Sequence, residues 1–235
     1  MININHLYKS YGAQTVLRDI SLQMEAGQCV AFVGPNGCGK TTLMKSILGL
    51  VKAQQGNLLV DGLDVSTSPD YRKHIGFMPQ YSCFPTNMTV REVFNTLKEV
   101  RGKNKDLDME LYDAFHIDRI LDKRTGALSG GMSQKVNAAL AFMFKPSTLI
   151  LDEPTASLDP VAAYILKQKI MKESGKLILV TSHILSELND IATHVVFMNE
   201  GRILFYQSVE ELQRRSGSKD ISQAVMEHLK NVENE

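Results

Sequence analysis

The 235-residue sequence balances 26 Lys plus Arg against 26 Asp plus Glu, and 43% of it is hydrophobic and 22% charged. That composition excludes disordered and fibrous classes, and a length of this order supports one sizeable core but not two independent folds. A formal net charge of +0 removes the electrostatic drive on which nucleic-acid binding usually depends, so no nucleic-acid partner is expected.

The N-terminal stretch MININHLYKSYG has neither a basic leader nor an apolar signal core, which predicts a cytoplasmic chain. Gln28 to Val33 is apolar and runs into a glycine-rich segment, after which Leu43, Ile47 and Leu50 recur at helical spacing: a buried strand, a loop and a helix. Further strands are predicted at Leu58 to Val60, Ile75 to Met78, Thr148 to Leu151, Leu177 to Thr181 and Val195 to Met198, with helical stretches between several of them. Residues 88–145 change to helical periodicity with charged faces, as in Val90-Val93-Phe94-Leu97, and read as an inserted helical subdomain. Asn199-Glu200-Gly201 between VVFM and ILFY is a hairpin turn, and two amphipathic helices, VEELQRR and ISQAVMEHLKNV, form the tail. The expected fold is α/β, with a mostly parallel sheet, an antiparallel β portion and the helical insertion. Residues 1–87 and 146–206 form its core and 207–235 its tail. Apolar runs such as Ala138 to Phe144 fall far short of the ~20 residues that cross a bilayer. Cys29, Cys38 and Cys83 lack the CxxC spacing of metal or redox sites and read as reduced thiols.

Gly34, Pro35, Asn36, Gly37, Cys38, Gly39, Lys40 and Thr41 match G-x-x-x-x-G-K-[ST] between the predicted strand and helix. Such a loop curls backbone N–H groups around phosphate oxygens, and the helix N-terminus adds its positive end. Lys40 would neutralise the β- and γ-phosphates, and the Thr41 hydroxyl would reach Mg²⁺. Thr42 completes the nucleotide-binding set. Cys38 is expected to be a thiol whose alkylation blocks turnover, because a helix N-terminus activates a thiolate and added bulk would occupy phosphate space.

Leu149-Ile150-Leu151-Asp152-Glu153 is an apolar strand ending in two carboxylates, where an α/β sheet presents ligands. Asp152 is expected to hold Mg²⁺ through water, and Glu153 to polarise the water that attacks the γ-phosphorus.

Leu128-Ser129-Gly130-Gly131 opens a helix between the phosphate loop and the acidic strand end. In that arrangement Met1 to about Tyr206 resembles the ATP-binding-cassette (ABC) family of P-loop ATPases. The resemblance implies ATP and Mg²⁺ as cofactors, Tyr11 as the aromatic that stacks on adenine (with Tyr8 its rival), and Gln80 as a γ-phosphate and Mg²⁺ sensor facing the transporter. It further implies His183 as a switch histidine, Asp159 in Ala156-Ser157-Leu158-Asp159 as part of a loop linking two active sites, and Ser129, Gly130 and Gly131 as a grip on the γ-phosphate held by a second subunit. The chain departs from the family at Met132, where glutamine is usual.

With no membrane segment of its own, the resemblance demands a transmembrane permease on a separate chain, a second nucleotide-binding subunit forming a homodimer, and a peripheral position on the inner face of the membrane. The apolar, aromatic Tyr81-Ser82-Cys83-Phe84-Pro85 follows Gln80 where the family docks its permease. The run from Gly130 to Phe144, with IGFMPQYSCFPTNMTV, also resembles the ATPase serving copper-site maturation of nitrous-oxide reductase. The 11 methionines, Cys83 and His74 read as core filler and not as copper ligands. A non-transport regulatory or nucleic-acid ATPase is the alternative reading.

Overall fold

A computed structural model describes residues 1–102, 105–182 and 184–232. The chain divides into two compact units, one of Met1–Arg72 with Ser174–Glu235 and the other of Lys73–Glu173.

In the first unit, β1 (Ile2–Tyr11) pairs antiparallel with β2 (Gln14–Met24) and with β4 (Gln55–Val60), which carries β5 (Leu63–Asp64) at its far edge. Sequence periodicity does not announce β1 and β2, and the reason is local. The buried set runs Ile2, Ile4, then Leu7 on one strand and Leu17, then Ile20, Leu22, Met24 on the other, so the period of two breaks once in each. The breaks fall at His6 (φ 48) and Asp19 (φ 57), beside shifts in pairing register, as β-bulges do. His6 Nδ1 and Asp19 Oδ1 lie 2.7 Å apart across the irregularity.

The same unit holds β3 (Cys29–Val33), parallel to β8 (Leu177–Thr181) and to β9 (His194–Asn199), with β10 (Arg202–Ser208) antiparallel to β9. Every residue of β3 and β8 is buried, which is why both are unbroken apolar runs without alternation. Glu200 (φ 47) and Gly201 (φ 78) make the two-residue turn expected between β9 and β10, with Asn199 opposite Arg202. Helix α1 (Lys40–Ile47) follows β3, and the tail helices are α6 (Val209–Ser216) and α7 (Ile221–Val232). The tail docks on the segment after β8. Asn189 Nδ2 donates to Asp220 Oδ2 at 3.0 Å, and the Ile221 N–H donates to Asn189 Oδ1 at 2.8 Å.

In the second unit, β6 (Ile75–Met78) runs parallel to β7 (Thr148–Asp152). Around them lie α2 (Val90–Arg101), α3 (Glu110–Ala114), α4 (Gly130–Met143) and α5 (Pro160–Lys172). Thr89 and Glu92 close a capping box at the start of α2, and Gly102 ends it in the left-handed conformation. Lys169 of α5 is 5% exposed and donates to Asp108 at 2.5 Å, to Glu173 at 2.7 Å and to Glu110 at 3.1 Å. Burial alone would lower the Lys169 pKa, but the hydrogen bonds to Asp108, Glu173 and Glu110 outweigh it and leave the ammonium more firmly protonated than a free lysine.

Candidate functional site

The phosphate loop joins β3 to α1. Gly34 sits at φ 142, and a Cβ there would lie 2.0 Å from the Met198 carbonyl oxygen and 3.0 Å from Cys38 Sγ, so only glycine fits. The loop is clamped from the β9–β10 turn. Gly201 donates its N–H to the Cys38 carbonyl at 3.0 Å, and the Gly201 carbonyl accepts from Arg18 N–H at 2.7 Å. Gly39, left-handed, precedes α1 without a side-chain cap, and the first turn of α1 carries no acid. Its orphan N–H groups therefore meet no acidic side chain of the helix's own first turn. Lys40 Nζ folds back over the loop, donating to the carbonyls of Gly34 at 2.7 Å and Pro35 at 3.1 Å. Pro35, Asn36, Gly37 and Thr41 are exposed, and Thr42 is half-buried.

Burial corrects the picture of Cys38 as a ready thiol. It is 3% exposed, with Sγ 3.7 Å from Lys40 Nζ, so its alkylation must wait for the loop to open. Cys29 is buried too, and desolvation pushes its thiol up to about 12, whereas Cys83 is exposed. Iodoacetamide labelling followed by mass spectrometry should modify Cys83 first, Cys38 at least about tenfold more slowly and Cys29 last. Labelling of Cys38 at the Cys83 rate would show the loop to be open.

Tyr11, at the end of β1, is 51% exposed with Lys9 Nζ 5.0 Å from its ring centre, while Tyr8 is half-buried. An exposed ring is available for stacking and a half-buried one less so.

In the second unit β7 ends on Asp152, 8% exposed. Glu153 follows at φ 52 and Ser157 at φ 64, both in the left-handed region that costs non-glycine residues about 1–2 kcal/mol. Two such residues so close together mark a loop held in shape by its surroundings. Those surroundings are the start of α4. A Cβ on Gly131 would stand 2.8 Å from the Ser157 carbonyl oxygen, so the SGG segment is glycine here partly to admit that loop. Ser129 caps α4, its Oγ accepting from Met132 N–H at 3.3 Å, and a Cβ on Gly130 would meet Ser157 only at ordinary contact. Asp159 caps α5 by accepting from Ala162 N–H at 2.9 Å and takes a hydrogen bond from Lys135 Nζ at 2.7 Å. The Lys135 bond, then the Ala162 N–H, hold the Asp159 carboxyl below the usual carboxylate range.

Gln80 is exposed just beyond β6, and Tyr81, 75% exposed, follows it. His183 lies outside the described residues. Sequence reasoning missed Lys135, Gln134 and Asn137, which read there only as parts of a helical run. Gln134 and Asn137 are 3% and 2% exposed, and nothing local to the sequence tells a buried amide from a solvated one. The Thr41 hydroxyl in the first unit and the Asp152 carboxylate in the second are each hard oxygen donors, whose chemistry taken singly fits Mg²⁺.

Residues 17–156 match the ABC transporter family. Among curated proteins the chain is 34% identical over 218 residues to the uncharacterized ABC transporter ATP-binding protein YcbN of Bacillus subtilis, covering 91% of this chain and 71% of that one. It is 31% identical over 222 residues to the lipopolysaccharide export system ATP-binding protein LptB of Haemophilus influenzae, covering 90% and 92%. Among solved structures, an ATP binding subunit of an ABC transporter superposes with a TM-score of 0.87 at 27% identity, covering 97% and 98% of the two chains. The cassette MJ0796, solved as a dimer bound to ADP and Pi, has a TM-score of 0.77 at 21% identity, covering 88% and 98%. The chain belongs to the ABC transporter family and has the α/β ABC ATPase fold. Within that family it is an ATP-binding subunit, an ATPase.

Proposed function

We propose that this ATPase couples hydrolysis, at two sites shared by a pair of identical subunits, to a membrane permease on a separate chain. The observation that carries the reading is the phosphate loop, an uncapped helix start with no acid in its first turn and with Lys40 folded back onto the loop carbonyls. Tyr11 stacks on adenine. Gly34 to Gly39 and the start of α1, with Lys40, Thr41 and Thr42, take the phosphates. Thr41, Gln80 and, through water, Asp152 would hold Mg²⁺, which would supply positive charge against the phosphates. Glu153 accepts the proton of the attacking water as its oxygen bonds to the γ-phosphorus and the bond to the β-phosphate oxygen breaks, releasing ADP and phosphate. His183 and Gln80 orient the γ-phosphate. Ser129, Gly130 and Gly131 of each subunit close on the γ-phosphate of the other, and Asp159 ties the two sites.

In this reading residues 1–87 and 146–206 are the nucleotide core, 88–145 the helical subdomain and 207–235 the tail. The exposed Tyr81 loop is the permease-facing surface, which puts the protein on the cytoplasmic face of the membrane. Among the described residues no helix is long and apolar enough to cross a membrane. The expected result of affinity purification from solubilised membranes is co-recovery of one integral membrane protein. Recovery of nucleic acid or a soluble regulator in its place would favour the non-transport alternative.

The similarity of the Gly130 to Phe144 run to the copper-maturation ATPase supports a narrower reading. In it, a strain lacking this chain makes nitrous-oxide reductase without its sulfide-bridged copper centre. A fully loaded reductase in that strain would remove the copper role and leave the ATPase untouched.

A further inference from the structure

A chain of side-chain amides crosses the second unit from the loop after Gln80 to the end of β7. Asn137 Nδ2 donates to Ser82 Oγ at 3.0 Å and to Gln134 Oε1 at 3.0 Å, and Gln134 Nε2 donates to the Glu153 carbonyl at 3.4 Å. Ser82 lies in the exposed loop, whereas Asn137 and Gln134 are 2% and 3% exposed on α4. Asn137 Oδ1 is buried with no hydrogen-bond partner.

We infer that Ser82, Asn137 and Gln134 form a positioning relay that couples the state of the loop after Gln80 to the backbone of Glu153. The inference rests on the proposed function for the roles of that loop and of Glu153.

Three physical features carry it. A buried amide acceptor without a partner is costly, so the arrangement persists only because the rest of the network holds it, and a second arrangement satisfies Oδ1 at the expense of Nδ2. That second arrangement is discrete. Turning the Asn137 amide by half a turn presents Oδ1 to the Ser82 hydroxyl, which donates, and to Gln134, which must then turn its Nε2 toward Asn137, while Asn137 Nδ2 moves into the buried place that Oδ1 held without a partner. Gln134 Oε1 is left facing the Glu153 carbonyl, an acceptor against an acceptor, and that contact is lost. The donor direction at Ser82 thus decides whether Glu153 is held, and the link has two states where a packed apolar contact would have one. Glu153 is also the residue at which such a release matters, because its left-handed φ of 52 needs support from its surroundings.

The test uses the whole chain, with the Glu153→Gln variant to trap bound MgATP. Steady-state kinetics are measured for Asn137→Ala, Ser82→Ala and Ser82→Thr. Hydrogen exchange is followed in peptides covering residues 81–88, with and without MgATP, in the Glu153→Gln background. The relay requires that ATP change exchange in this loop and that Asn137→Ala abolish the change while ATP still binds. It also requires kcat to fall about tenfold in Asn137→Ala and Ser82→Ala with KM for ATP within about twofold, and Ser82→Thr, which keeps the hydroxyl, to restore turnover. Wild-type kcat with an unchanged exchange response in Asn137→Ala overturns the relay. So does a parallel loss of kcat, ATP affinity and thermal stability, which would reduce Asn137 to packing. Wild-type turnover from Glu153→Gln alone would remove the role of Glu153, and the relay with it. That outcome is read before any relay variant is made.

Discussion

Glu153→Gln is expected to retain ATP binding, to lose about 10²–10⁴-fold in turnover and to accumulate as an ATP-bound dimer. The amide has nearly the volume of the carboxylate, so the strained loop from Glu153 to Ser157 keeps its shape, and removal of a negative charge beside a triphosphate does not weaken binding. What is lost is the group proposed to take the proton of the attacking water. With hydrolysis blocked, the proposed arrangement has intact ATP bridging the pair, held by Lys40 of one subunit and by the Ser129 to Gly131 segment of the other. At a concentration ~100 times its dissociation constant, ligand linkage alone favours the bound state by about 2.7 kcal/mol. Light scattering with and without MgATP reads the dimer, and Ser129→Arg in the same background should abolish it by filling the shared site. A variant that stays monomeric at saturating ATP and high protein concentration would count against the trans arrangement. Undiminished turnover would count against Glu153 itself.

Gly34→Ala is expected to destabilise the first unit by about 3 kcal/mol or more and to abolish ATP binding. The backbone at φ 142 is one that L-residues scarcely adopt, and the new methyl would have to displace the Met198 carbonyl 2.0 Å away. That carbonyl belongs to β9, whose hairpin turn clamps the loop through Gly201, so the strain spreads into the clamp instead of being absorbed by a flexible side chain. Gly37→Ala is the comparison. At φ 79 with no atom within 4 Å of the new Cβ, it suffers only the left-handed penalty of roughly 1–2 kcal/mol. Thermal unfolding separates them, because each kcal/mol moves the midpoint by about 2–4 °C in a chain of this size. Equal stability of the two variants would mean that the Gly34 approach to β9 is not as close as described.

The sequence by itself determined the parts whose requirements are local. A loop that needs glycine at positive φ and a lysine beside a helix start writes those residues consecutively, so Gly34 to Thr41 could be read directly, as could the Glu200–Gly201 turn and the fully buried runs of β3, β7 and β8. The tail helices were legible for the same reason, since each carries its own apolar face, and Ser208 and Gly217 bound the first of them. Where the chain bends within an element the signal failed. The bulges at His6 and Asp19 broke the alternation that would have revealed β1 and β2.

Only the tertiary structure decided which distant residues meet. Asn137 finds Ser82 across 55 positions and Lys135 finds Asp159 across 24, and neither pairing leaves a pattern in either segment. The same holds for the Ser157 carbonyl against Gly131, which makes that glycine a packing requirement as well as a proposed phosphate contact. Cys38 shows the difference most plainly. Its position at a helix start suggested an activated thiol, and the fold buries it, with the β9–β10 turn, supplied by residues far along the chain, hydrogen-bonded to its carbonyl.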